Sequence, residues 1–62
     1  MEEMNINATI RLGNKEVKRQ IKAKTRQERD FYTEYYDNSV RCGKADYCRI
    51  EIDGNLYSEL VA

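Results

Sequence analysis

The sequence predicts a small single-domain α+β fold, in which one amphipathic helix packs on an antiparallel sheet built from two β-hairpins. Two pairs of runs that alternate apolar and polar residues, one around Gly13-Asn14 and one around residues 53–55, predict the hairpins. An aromatic-rich segment between them has helical spacing. The predicted order is β-β-α-β-β over residues 1–62. An extra short strand near 39–42 and an all-β small barrel are the alternatives.

The first hairpin comes from residues 4–24. Gly at the first position of the Gly13-Asn14 link accepts the positive φ that a primed two-residue turn requires. The register that follows pairs Leu12 with Lys15, Ile10 with Val17, Ala8 with Arg19, Ile6 with Ile21 and Met4 with Ala23. On the opposite face Arg11 meets Glu16, a cross-strand pair of opposite charge worth a few tenths of a kcal/mol. One register therefore satisfies both faces.

Two other interpretations of the first forty residues stay open. Residues 15–37 contain no Gly or Pro and could form one long helix, although Lys24 and Glu28 would interrupt its apolar face. The nearly unbroken alternation through Ala23 favours the hairpin. Residues 30–36 could instead form a strand, since Phe and Tyr also favour strands.

The helix is predicted from a capping box and an aromatic stripe. Thr25 and Glu28 have the Ser/Thr-x-x-Glu spacing that satisfies free backbone donors at a helix start. At 100° per residue, one side carries four aromatic rings: Phe31, Tyr32, Tyr35 and Tyr36. We expect Phe31 and Tyr35 to lie in the core, and the helix to stop at residues 37–39, where Asn38 can adopt the left-handed cap conformation.

The second hairpin lies near the C-terminus. Cys48, Ile50 and Ile52 alternate with polar residues until Asp53-Gly54-Asn55 breaks the run. A three-residue loop, with Gly54 or Asn55 at positive φ, pairs Ile52 with Leu56 and Cys48 with Leu60. This loop also sets Arg49 opposite Glu59, so we prefer it to a two-residue Asp-Gly turn.

Length and composition limit what the chain can be. A domain of 62 residues buries only about 60% of its unfolded surface, so its core is thin. No apolar run could span a membrane, and the N-terminus, with Met1–Glu3 expected to fray, lacks a hydrophobic signal region. We therefore expect a cytoplasmic protein. Abundant Asn, Ile, Lys and Tyr suggest AT-rich coding, as in low-GC bacteria or their mobile elements.

The residue types argue against catalysis, cofactors and metals. Histidine is absent, which removes the commonest general base and zinc ligand, and no Gly-rich phosphate loop occurs. Two cysteines, Cys42 and Cys48, are too few for a zinc site within one chain. We expect two small buried thiols rather than a disulfide, because the cytosol is reducing. The sequence predicts a non-enzymatic protein with no catalytic, cofactor or metal site.

Charge is segregated along the chain, although the net charge is zero. Between Arg11 and Arg29 eight basic residues face two acidic ones, whereas from Asp30 onward three basic residues face seven acidic ones. Such segregation influences partner choice rather than fold. It singles out the polar face of the first hairpin, and the five tyrosines add candidate contacts. The predicted interaction surface comprises Arg11, Lys18, Lys22, Lys24, Tyr36 and Tyr57.

These observations favour a small binding protein of the regulator or inhibitor type, which acts on a protein partner. Nucleic acid is the first alternative partner, since Lys, Arg, Asn and Gln on a two-stranded ribbon can contact phosphates and bases. The near-neutral pI of about 6.2 and the acidic second half weigh against it. A homodimer that completes the thin core is the second alternative. No membrane partner is expected.

Overall fold

The computed structural model describes residues 3–62 and has the predicted α+β architecture. Its elements are β1 (Met4–Leu12), β2 (Lys15–Ala23), α1 (Arg26–Arg41), β3 (Tyr47–Ile52) and β4 (Asn55–Val61). The strands form one open antiparallel sheet in the order β2-β1-β3-β4, with α1 on one face. This arrangement confirms the β-β-α-β-β order, and the barrel alternative is wrong. Of the predicted N-terminal lead-in, residues 1 and 2 lie outside the described residues.

The register of the first hairpin is the predicted one at every pair. Gly13 has a φ of +60°, and Asn14 is not among the residues with positive φ, which is the pattern of a type II′ turn. Arg11 lies opposite Glu16, and its Nη2 is 3.2 Å from the carboxylate. Residues 15–23 are strand, so the long-helix alternative is wrong. Residues 30–36 lie within a helix, so the alternative strand over these residues is also wrong.

Strand β1 is the centre of the sheet, and two aspartates tie its ends to the second hairpin. Asp46 accepts a hydrogen bond from the Gly13 N–H at 2.8 Å, and its own N–H donates to the Arg11 carbonyl at 2.8 Å. At the other end, Asp53 accepts from the Asn5 N–H at 3.0 Å and donates its N–H to the Asn5 carbonyl at 2.9 Å. The two hairpins are therefore held in one register at both ends.

The second hairpin closes with a two-residue turn, so the predicted three-residue loop is wrong. Asp53 and Gly54 both have positive φ, +51° and +83°, as in a type I′ turn. Ile52 therefore pairs with Asn55 rather than Leu56. The predicted partners at the other end of β3, Cys48 with Leu60 and Arg49 with Glu59, are confirmed.

The two-residue turn at one end of this hairpin and the Arg49–Glu59 pair at the other require different registers, and a β-bulge in β4 accommodates both. The register shifts between Ile50, which pairs with Ser58, and Glu51, which pairs with Leu56. Tyr57 is the extra residue, and a bulge of this kind redirects the side chains beside it. The bulge therefore lets the hairpin have both the tight turn that the Asp-Gly dipeptide favours and the favourable cross-strand contact of Arg49 with Glu59.

The start of α1 is the predicted one, with Thr25 as N-cap, but the Glu28 carboxylate bonds to the residue before the N-cap rather than to Thr25 itself. The Thr25 hydroxyl accepts from the Glu28 N–H at 3.1 Å, and the Glu28 carboxylate accepts from the Lys24 N–H at 2.9 Å. The end of α1 is not the predicted one. The helix continues through residues 37–39 to Arg41, and Gly43 follows at a φ of +77°. The predicted stop and the extra strand near 39–42 are therefore wrong, because one more turn lets the helix bury Val40.

The helix also presents a different face to the sheet. Its buried side chains are Thr33, Tyr36 and Val40, whereas Phe31 and Tyr35 are 66% and 63% exposed. Relative to the predicted aromatic stripe, the helix is rotated by roughly one residue step, about 100°. The small Thr33 suits a helix that lies close to the sheet, and its hydroxyl is satisfied by the Asp30 carbonyl at 3.2 Å. The prediction that Phe31 and Tyr35 fill the core is wrong.

The core lies between α1 and the inner face of the sheet. Its buried members are Ile6, Ala8, Ala23, Tyr36, Val40, Ala45, Cys48 and Ile50. Three of them are alanines, so the core is small even for a chain of this length. Both cysteines are free thiols, and only Cys48 is buried. Cys42 caps the end of the helix in solvent, so the prediction of two buried thiols is wrong for Cys42.

Two neighbouring tyrosines test the orientation of α1. Tyr36→Ala should lower the free energy of unfolding by about 3 kcal/mol, because it removes a buried ring and leaves a cavity. Tyr35→Ala should cost less than about 1 kcal/mol, because the ring is mostly in solvent. Urea unfolding followed by circular dichroism measures both. A larger loss for Tyr35→Ala than for Tyr36→Ala would contradict the observed orientation.

Candidate interaction surface

The outer face of the sheet, opposite α1, carries the basic residues that the sequence singled out on the first hairpin. Lys18 lies beside Thr9 and Lys22 beside Asn5, as the register requires. Arg11 lies on the same face, where its guanidinium is 4.8 Å from the centre of the Tyr47 ring. We call this half of the sheet, formed by β1 and β2, the basic half-face. Its side chains are Asn5, Asn7, Thr9, Arg11, Lys18, Gln20 and Lys22, with Glu16 as the one acidic residue, paired with Arg11.

The other half of the outer face is acidic. Arg49 lies between two carboxylates, 3.4 Å from that of Glu51 and 4.0 Å from that of Glu59. The Tyr47 hydroxyl donates a hydrogen bond to Glu59, and this bond raises the pKa of Tyr47. Asp53 adds a carboxylate at the turn end of β3. The outer face therefore changes from basic to acidic across the four strands.

The remaining predicted surface residues lie elsewhere. Lys24 follows β2 in the loop before α1, where its backbone takes part in the helix cap. Tyr36 is only 8% exposed and belongs to the core. Tyr57, which the sequence pattern assigns to the outer face, is 46% exposed, and its ring lies 5.7 Å from the Arg29 guanidinium of α1. Because of the bulge, the Tyr57 ring is turned toward the helix.

An open groove runs between α1 and the edge strand β2. Its volume is about 340 Å³, and it is lined by Ile10, Val17, Arg19, Tyr35, Tyr36, Ser39, Lys44 and Ala45. The helix leaves this side of β2 uncovered, so Val17 is 42% exposed although its side chain is on the inner face. Leu12, at the hairpin tip, is 51% exposed. Val17 and Tyr35 line the groove, whereas Leu12 at the hairpin tip and Phe31, one helical turn before Tyr35, are not part of its lining. We call these four exposed apolar side chains together the apolar patch.

Each exposed aromatic ring of the apolar patch is supported by a more buried one. Phe31 meets Tyr32 edge to face with ring centres 5.4 Å apart, and Tyr35 meets Tyr36 in the same way at 5.2 Å. Such contacts add about 0.5–1.5 kcal/mol beyond burial, so the exposed rings are held in place. Burial raises the pKa of Tyr36, and nearby Arg19 acts in the opposite direction. The base of the groove is therefore a neutral tyrosine beside a cation.

A second and larger groove, of about 890 Å³, lies at the end of the sheet near the Asp53-Gly54 turn. Its lining is mainly amide and charged groups, with Asn5, Asn7, Gln20, Lys22 and Asp53 among them. Apolar side chains that would exclude water from a bound ligand are few here. We therefore regard the smaller groove beside α1, which is lined by the exposed Tyr35 ring and the more buried Tyr36 ring, as the better candidate site.

Within residues 3–62, no group of three or more Cys, Asp, Glu or His side chains is placed to hold a metal ion. In the same range, no buried side-chain nitrogen or oxygen lacks a hydrogen-bond partner. Also within it, no helix is long and apolar enough to cross a membrane.

Comparison of the chain with known protein families, curated proteins and solved structures found no match. The candidate surface is therefore defined by its own geometry and chemistry.

The sequence pattern does not reveal the apolar patch, because the aromatic stripe has the spacing of a buried helix face. The signal that could have found it is the spacing of Thr33, Tyr36 and Val40, at i, i+3 and i+7. That pattern emerges only if the helix continues past Asn38. Phe31 and Tyr35 then fall on the side away from the sheet.

The two thiols differ in environment, and this difference has a measurable pH dependence. Burial, with a smaller contribution from Asp37, raises the pKa of Cys48 from 9.0 to about 11. The folded chain therefore keeps a proton that the unfolded chain loses between these pH values, so stability falls as pH rises through them. The loss should total about 2–3 kcal/mol at 1.4 kcal/mol per unit.

Cys48→Ala should flatten the decline of the unfolding free energy between pH 9 and pH 11, as measured by urea unfolding at several pH values. The matched control is Cys42→Ala, which removes an exposed thiol and should leave the decline as in wild type. In native protein a thiol reagent should modify Cys42 only. Equal flattening by both substitutions would contradict the assigned burial.

Proposed function

We propose that this chain is a small non-enzymatic protein that binds another protein through the apolar patch beside the α1–β2 groove. The proposal belongs to the regulator or inhibitor class, in which binding itself is the activity. It puts the protein in the cytoplasm, where Cys42 and Cys48 stay reduced. The patch, the groove and their basic border support it.

The observation that carries the proposal is the exposure of Phe31 and Tyr35, each more than 60% accessible on one side of a single helix. A thin core would gain stability from burying these rings, yet α1 buries Thr33 in preference to them. Exposed apolar clusters bordered by polar groups are typical of protein interfaces, in which aromatic residues are enriched. Their contacts with Tyr32 and Tyr36 also reduce the entropy that binding would otherwise cost.

The border of the groove indicates the charge of the partner. Arg19 and Lys44 line the groove itself, and both are exposed. Lys15 lies in β2 beside the hairpin tip and is also exposed. Cations around an apolar centre favour a partner surface that is acidic around an apolar anchor, because complementary charges speed association and exclude other partners.

Nucleic acid remains the alternative partner, and the basic half-face is the feature that favours it. Lys18, Lys22 and Arg11 share that half with amide side chains. The same outer face, however, carries Glu51 and Glu59 in β3 and β4, and Asp53 lies in the turn between these strands. A polyanion on this face would meet carboxylates as well as cations, so we prefer the protein partner. A homodimer is the further alternative.

The proposal is tested by affinity capture from the organism that encodes the chain, with wild type and Phe31→Ser/Tyr35→Ser as baits. The double variant should capture at least ten-fold less of the partner protein than wild type. Truncating aromatic side chains at an interface reduces the binding free energy by more than about 1.4 kcal/mol, which is ten-fold in affinity. The matched control is Leu56→Ser. It removes a comparably exposed apolar side chain, 56% accessible, from β4.

If Leu56→Ser still captures the partner and Phe31→Ser/Tyr35→Ser does not, the result supports the apolar patch as the binding surface. Retention of every partner by Phe31→Ser/Tyr35→Ser would refute it. A partner that is lost after nuclease treatment of the lysate would favour the nucleic-acid alternative. Sedimentation of the purified chain at several concentrations tests the homodimer, and a constant monomer mass rejects it.

A further inference from the structure

We propose that the edge strand β2 accepts an extended segment of a partner protein, which adds a fifth strand to the sheet and whose side chains alternate between acidic and apolar. This inference rests on the proposed function and specifies how the partner binds. Three features of the described residues converge on it: a free backbone edge, a row of cations and the open α1–β2 groove. Strand addition of this kind obtains affinity from main-chain hydrogen bonds and specificity from alternate side chains.

The free backbone edge follows from the register. The Asn5 carbonyl accepts from Asp53, so Asn5 and every second residue after it in β1 direct their backbone groups toward β3. The intervening residues of β1 bond to Val17, Arg19 and Ile21 of β2. The other residues of β2 then direct their N–H and C=O groups away from the sheet: Glu16, Lys18, Gln20 and Lys22.

Strand β2 is also the better of the two edges for adding a strand. It is nine residues long, and its nine pairs with β1 run without a register shift. Strand β4, at the opposite edge, is interrupted by the bulge at Tyr57, and bulges discourage further pairing. Its side chains also include Glu59, which would repel an acidic segment.

The charges of β2 determine which segment it would accept. Lys18 and Lys22 extend from the outer face of the strand, and Arg19 extends from its inner face. The one carboxylate of β2, that of Glu16, is also on the outer face, where it is paired with Arg11 at 3.2 Å. Lysines on an edge strand deter pairing with another basic strand, including β2 of a second copy. An acidic strand would instead place its carboxylates diagonal or opposite to Lys18 and Lys22 on the outer face, where each cross-strand pair is favourable. Charge complementarity therefore selects an acidic partner over a second copy.

The α1–β2 groove determines which side chains the added strand would carry on its helix side. Side chains on the helix side of an added strand would lie beside Val17 and Ile21 and under the Tyr35 ring, which borders the same groove. Val17 and Ile21 are incompletely buried in the free chain, so apolar side chains here would remove apolar surface from water. The segment that fits is thus acidic toward the outer face and apolar toward α1.

The probe for this proposal is an end-blocked eight-residue peptide of alternating glutamate and valine, titrated into the ¹⁵N-labelled full chain. Its counterpart, of alternating lysine and valine, controls for charge. The acidic peptide should shift the amide resonances of Lys18, Gln20 and Lys22 and slow their exchange with solvent. It should bind at least ten-fold more tightly than the lysine peptide. Absence of binding, or shifts centred on β4, would overturn the proposal.

One substitution removes the outward hydrogen bonding without touching the existing ladder. Gln20→Pro deletes an N–H that points away from β1, and proline is tolerated at such edge positions. It should reduce binding of the glutamate peptide ten-fold or more while the spectrum stays well dispersed. Lys18→Glu/Lys22→Glu is the second variant, and it should reverse the preference toward the lysine peptide. If neither variant changes peptide binding, strand addition at β2 is wrong.

The outcome separates this inference from the proposed function. A captured partner that is lost by Phe31→Ser/Tyr35→Ser but kept by Gln20→Pro would leave the apolar patch as the binding site and refute strand addition. Loss with both variants supports the two proposals together. A DNA or RNA duplex that displaces the glutamate peptide at equal concentration, or shifts of the β2 amides on concentrating the chain alone, would overturn the choice of occupant.

Discussion

The pairing of β1 with β2 is the constraint on which the rest of the structure depends. The Gly13-Asn14 turn allows one register only, and a slip of one residue would move Ile6 and Ala8 from the core to solvent. The same register determines which backbone groups of β1 face β3. Asp46 and Asp53 then attach to the two ends of β1 and align the second hairpin. A thin core is thus supported by hydrogen bonds between well-specified strands.

The placement of α1 is the second determinant, and the candidate surface is its direct consequence. The helix buries Thr33 and two larger residues, Tyr36 and Val40, against a core that contains three alanines. In this orientation Phe31 and Tyr35 remain in solvent. The helix also leaves the inner side of β2 uncovered, so the groove and the open strand edge lie side by side. The features that make this fold marginal as an isolated domain are the ones on which the proposed binding function rests.

The first hairpin was predictable because two independent faces and a turn agreed on one register. The α1 start was predictable from the reciprocal spacing of Thr25 and Glu28. The face of the helix was not, because aromatic spacing is compatible with either side, and burial of Val40 is a tertiary effect. The second turn was mispredicted because a bulge at Tyr57 cannot be read from alternation. Exposure of Phe31, and hence the site, follows only from the helix orientation.

The central claim is that β2 is an edge strand whose backbone alternates between bonds to β1 and free groups. Native-state amide exchange of the unliganded chain, read residue by residue by NMR, measures this alternation directly. Val17, Arg19 and Ile21 should exchange slowly, and the intervening Lys18 and Gln20 should exchange close to the rate of an unprotected amide. Uniform protection of residues 16–22, as a helix or a covered strand would give, would contradict the account.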